Sequence, residues 1–111
     1  AEARLQKNIY EKEAITRSIE TEIKNLVADL NSSLKRLQLL ERNVLVAEKS
    51  FEITRNRFSD GDIDSQALAL ERVRLNNAYT SHLEAYIQYE LNLADIMRKT
   101  FFDYKNNRQV Q

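Results

Sequence analysis

Few residues in this chain could do chemistry. His82 is its single histidine and lies between Tyr79 and Tyr86. A di-iron site in a helical bundle takes Glu three residues before His, and here that residue is Tyr79. The chain has no Cys, so His82 has no nitrogen or sulfur partner for zinc. It reads as a core or interface residue. The acidic residues around the one glycine imitate a metal site more closely. Asp60, Asp62, Asp64 and Glu71 stand at positions one, three, five and twelve of an EF-hand loop. That loop needs Gly at its sixth position, where this chain has Ser65, and Gly61 falls at its second. Charged caps at a helix–helix turn account for the aspartates. Tyr79, Tyr86 and Tyr89 read as packing residues with solvated hydroxyls. With no Gly-rich phosphate loop, Cys nucleophile or catalytic triad in the sequence, the chain is not read as an enzyme, and no cofactor or metal is expected.

The elements that carry these residues are helical. The 111 residues include one Gly and no Pro, and 31% of them are charged. Chains of this kind with helical periodicity form long helices or coiled coils. Seventeen basic and seventeen acidic residues cancel, which argues against a nucleic-acid partner. No apolar run is long enough to span a membrane as a helix. The chain opens in mid-pattern at Ala1-Glu2-Ala3-Arg4-Leu5, as a piece of a longer protein would.

Ile9, Ile23, Leu30, Leu37, Val44, Phe51 and Phe58 share one seven-residue register, and Leu5, Ile19, Leu26, Leu40 and Ala47 interleave with it. This is the a/d seam of a coiled coil, interrupted by Lys12, Thr16, Ser33 and Thr54. It stops at Ser59-Asp60-Gly61-Asp62-Ile63-Asp64 and resumes with Leu68, Leu75, His82, Tyr89 and Ile96, for which Tyr79, Tyr86 and Leu93 are the expected interleaving row. The expected architecture is all-α: a long antiparallel helical hairpin over 1–111, with a helix at 1–58, a turn at 59–64, a helix at 65–105 and a tail at 106–111. Gly61 would end the first helix in the left-handed conformation. Asp62 or Asp64 would cap the second. About twenty residues of the first helix would overhang. A second apolar stripe, Leu83, Ile87, Leu91, Ala94 and Met97, calls for neighbours on two sides, as in a bundle or closed ring.

The stretch Arg57-Phe58-Ser59-Asp60-Gly61, followed by Asp64, Leu68 and Leu75, resembles the outer membrane efflux protein family, the TolC-like channels. In that family a long helix ends in an Arg, an aromatic, two variable residues and Gly, with a small capping residue and a Leu beyond. Ala85, Tyr86, Tyr89 and Leu93 are similar to the family's later Ala/Tyr/Leu run, and Ile19, Glu22, Ile23 and Leu30 to its upstream pattern. The chain departs from the family at Ala67, where Asp is frequent, and at Glu71, where Ala is frequent. The resemblance implies the periplasmic helical portion of a homotrimeric outer-membrane channel of a Gram-negative bacterium. Such a channel conducts exported small molecules. Its tips meet a periplasmic adaptor (membrane fusion) protein, which links them to an inner-membrane pump. The expected adaptor-docking tip is Arg57, Phe58, Asp60, Gly61, Asp62, Ile63, Asp64 and Leu68, with Ile63 an apolar residue that its own chain barely covers. The rival class is a coiled-coil scaffold with no transport role.

Overall fold

The computed structural model describes residues 2–110, and side chains for 2–102 and 105. It is an all-α helical hairpin of two helices, α1 (Glu2–Ser59) and α2 (Ser65–Val110). Neither contains Pro, and the single Gly lies between them. Nothing in 106–110 stops a helix, and α2 continues through the segment expected as a tail to Val110. No helix among the described residues is long and apolar enough to cross a membrane. The chain divides into two compact units, Ser32–Leu91 and Ala1–Asn31 with Asn92–Gln111.

In the unit Ser32–Leu91 the less exposed residues of α1 are Ser33, Leu37, Leu40, Val44, Ala47, Ser50, Phe51 and Thr54, with Leu34 beside them. Apart from Leu34 and Ser50 this is the 3-4 rhythm of the expected seam. Ser33 and Thr54, which looked like interruptions, belong to it. On α2 the less exposed residues are Leu68, Glu71, Leu75, Ala78, His82, Ala85 and Tyr89, with Ala67 and Ser81 beside them. The interleaving row is therefore Glu71, Ala78 and Ala85, one residue before the tyrosines expected there. Tyr79 and Tyr86 stay 44% and 47% exposed. The two most buried described residues are Ala85, 4% exposed, and Ser33, 8% exposed, and both line one cleft with Arg36, Glu84 and Gln88. Small side chains bring helix backbones close, and a tyrosine at the same level would hold them apart.

Polar side chains flank this seam in defined pairs. Ser50 Oγ donates to Glu71 Oε2 at 3.1 Å, and Arg74 Nη1 meets Glu71 Oε1 at 3.1 Å. The Arg72 guanidinium lies 5.9 Å from the centroid of the Phe51 ring. The Tyr79 hydroxyl donates to Glu48 Oε1 at 2.7 Å. That bond to a carboxylate raises the Tyr79 pKa above its ordinary 10.0, with desolvation and the negative charge of Glu48 adding in the same direction.

In the other unit, Ile19, Ile23, Leu26 and Leu30 of α1 are half-buried, as are Asn92, Leu93, Ala94, Ile96 and Lys99 of α2. Asn92 Nδ2 donates to the Asp29 carbonyl at 3.4 Å, and Lys99 Nζ meets Glu22 at 3.0 Å. Both partners step by seven residues between these two contacts, which is one heptad of an antiparallel pair. Residues 2–18 are all exposed. Antiparallel pairing about Gly61 would bring Glu20 near Tyr104, whose side chain lies outside the described residues.

The seam assignment predicts opposite effects for neighbouring residues. Ala85→Leu should cost about 1–3 kcal/mol by overpacking, whereas Tyr86→Gln should stay within about 0.5 kcal/mol. Urea unfolding followed by circular dichroism at one fixed chain concentration checks both. The Tyr79 hydrogen bond holds the phenol protonated in the fold, so its stabilisation is complete below about pH 10 and is lost as pH rises through the elevated pKa. Tyrosinate absorbance should show Tyr79→Phe removing a phenol that ionises above the ordinary 10.0.

Candidate functional site at the hairpin tip

The tip is built by two capping systems that meet within five residues. Asp60 N–H still donates to the Asn56 carbonyl at 3.0 Å, as in a helix. Gly61 N–H then donates to the Phe58 carbonyl at 3.1 Å and Asp62 N–H to the Arg57 carbonyl at 2.9 Å. This pair of bonds is the Schellman motif, with Gly61 as its left-handed residue at φ +81°. A Cβ on Gly61 would meet nothing within 4 Å, so the requirement for glycine is set by backbone conformation and not by crowding. Arg57 in the last turn of α1 also suits the negative end of that helix.

The second system starts α2. Asp64 Oδ1 accepts the Ala67 N–H at 2.9 Å, and its carbonyl accepts the Leu68 N–H at 3.4 Å. Of the two expected caps, Asp64 is therefore the one that acts. Its charge also faces the positive end of the helix dipole. Ile63 and Leu68 occupy the positions just before the cap and four residues into the helix, where two apolar side chains staple the entering chain. Both are half-buried. Ile63 is thus more covered than an apolar residue that its own chain barely covers would be.

The eight expected tip residues thus fall into two groups. Gly61, Ile63, Asp64 and Leu68 build the turn. Arg57, Phe58, Asp60 and Asp62 have side chains open to solvent, Phe58 at 40% exposure. The acids of the EF-hand-like spacing do not converge. Asp64 is spent on the α2 N-terminus, Glu71 is held by Ser50 and Arg74, and no group of three or more metal-ligating side chains occurs among the described residues. His82 lies half-buried on the α2 seam row. The sequence missed the staple role of Ile63, although the spacing of Ile63, Asp64 and Leu68 carried the signal.

Gly61→Ala should cost about 1 kcal/mol and Gly61→Asn less, since Asn tolerates positive φ. Asp64→Ala should also cost about 1 kcal/mol through loss of the cap. Denaturant midpoints of the three variants check the ranking, and an unchanged midpoint for Gly61→Ala would contradict the left-handed turn.

Comparison with known proteins finds no matching protein-family model, no similar curated protein and no similar solved structure.

Proposed function

We propose that this hairpin is the periplasmic helical segment of a trimeric outer-membrane efflux channel, and that its tip docks a periplasmic adaptor serving an inner-membrane pump. One observation carries the reading. The Arg57-Phe58-x-x-Gly61 motif that resembles the efflux family coincides with the place where the chain turns, with Gly61 at positive φ. An apolar Phe58 beside exposed Asp60 and Asp62 suits a small, orientation-specific contact: an apolar centre with a charged rim. The exposed Leu83, Ile87 and Leu91 of α2 suit a helix with neighbours on both sides. The role of the segment is that of a passive conduit wall. In a symmetric ring, Asp60 and Asp62 would gather at one mouth, make it acidic and favour cations there.

The division of the tip decides the test. Changes at Gly61, Ile63 or Asp64 would disturb the turn itself, so the informative variants are Phe58→Glu and Asp62→Arg, made in the complete channel protein. Both should lower export in cells and crosslinking to the adaptor, with normal trimer and outer-membrane levels. If export and crosslinking survive both changes, the tip is not a docking site, and a coiled-coil scaffold without transport becomes the better reading.

A further inference from the structure

Gly61 is the chain's one glycine, so Asp60 is the only aspartate whose next residue carries no side chain. That pairing has a chemistry of its own. The carboxyl carbon of an aspartate can close a five-membered ring with the backbone nitrogen of the following residue, and a side chain on that residue hinders the approach. At glycine nothing hinders it. The other acids of the turn are less open. Asp62 precedes the β-branched Ile63, and Asp64 holds the Ala67 N–H on its carboxylate at 2.9 Å. The Asp60 side chain is exposed, and a Cβ on Gly61 would meet nothing within 4 Å, so water reaches this peptide bond. What restrains the nitrogen is the turn itself. Gly61 N–H donates to the Phe58 carbonyl at 3.1 Å, and Asp60 N–H to the Asn56 carbonyl at 3.0 Å. A proton held in that bond is not free to leave. Nor can the nitrogen swing toward the carboxyl carbon without breaking it.

We propose that the Asp60-Gly61 peptide bond is a latent isoaspartate site, kept closed by the hydrogen bond from Gly61 N–H and exposed whenever the turn opens. In the open turn the Gly61 nitrogen loses its proton and attacks Cγ of the protonated Asp60 carboxyl. The N–Cγ bond forms, the Cγ–OH bond breaks, and the departing hydroxide takes up the proton that the nitrogen lost and leaves as water. The product is a succinimide that includes both carbonyl carbons of Asp60. Water then adds to one of those carbonyls. Breaking N–Cγ restores Asp60. Breaking the bond from the nitrogen to the main-chain carbonyl carbon gives isoaspartate, in which the chain runs through Cβ and Cγ and a free carboxylate is left on Cα. One water is lost and one gained, and nothing else is consumed. The product carries one extra main-chain carbon between Asp60 Cα and the Gly61 nitrogen. This moves the Gly61 and Asp62 N–H groups away from the Phe58 and Arg57 carbonyls, so the Schellman pair cannot re-form. The site therefore makes a transient local opening permanent. The inference rests on the turn alone and holds with or without a transport role.

The test incubates the full chain near neutral pH in heavy-oxygen water, once folded and once unfolded in guanidinium. Digestion with trypsin in ordinary water, at Arg57 and Arg72, then releases one peptide, 58–72, that holds Asp60, Asp62 and Asp64. Each ring opening leaves one heavy oxygen on the aspartate concerned, and fragment masses locate it. In the unfolded chain, label and isoaspartate should collect at Asp60 ahead of the other two. In the folded chain both should form at least about tenfold more slowly, and the slowing should be no smaller than the protection of the Gly61 amide against hydrogen exchange. Asp60→Glu should remove the signal in either state, because its ring would need six members. The purified isoaspartate form should lose amide protection at Gly61 and Asp62. The proposal is overturned by isoaspartate that forms as fast in the folded chain as in the unfolded one. It is equally overturned by label that favours Asp62 or Asp64 in the unfolded chain, or by an isoaspartate form that keeps both amides protected.

Discussion

Two helices laid side by side have one line of contact. Each can turn a single row of residues toward the other, and everything apolar outside that row stays in water or waits for another surface. Here the row is so narrow that Ala85 and Ser33 are the only buried residues among those described, and neither is fully shielded. A chain of this size normally derives its stability from a core with a centre. This one relies on backbone hydrogen bonds along two long helices, a thin seam and short-range charge pairs such as Glu13 with Arg17. The large exposed side chains on both helices follow directly from that geometry.

The same constraint explains the polar residues on the seam. Glu71, Asn92 and Lys99 occupy inward rows of α2, where an unpartnered polar group would be costly. Each has a partner on α1: the Ser50 hydroxyl, the Asp29 carbonyl and the Glu22 carboxylate. Apolar residues at these positions would allow the helices to slide by a heptad with little penalty. Polar ones match at one alignment, which is the best-attested use of such groups in coiled coils. Within each unit they fix the register of the helix pair.

At the tip, residues that build the turn and residues with exposed side chains lie within one very short segment. Gly61, Ile63, Asp64 and Leu68 are consumed in ending one helix and beginning the next. Arg57, Phe58, Asp60 and Asp62 contribute backbone groups to the turn but leave their side chains free. A turn held by backbone bonds can therefore present a variable set of side chains at fixed positions, which is the arrangement a docking element needs.

The sequence by itself determined the class and the hinge. Its heptads, its lack of proline and its one glycine leave two helices and a turn at Gly61 as the consistent answer, because these signals act through local backbone preferences. It did not determine which row of α2 faces inward. Tyr79 and Tyr86 looked like seam residues because they are large and apolar, yet Ala78 and Ala85 turn inward, because close approach of two backbones rewards small side chains and leaves the tyrosines to lie at the edge. Nor did composition reveal that Ser33 would be buried or Ile63 stapled. Ser33 depends on what stands opposite in space, with Ala85 lining the same cleft, and only the tertiary structure brings the two together, whereas the staple spacing of Ile63 and Leu68 was local and present in the sequence.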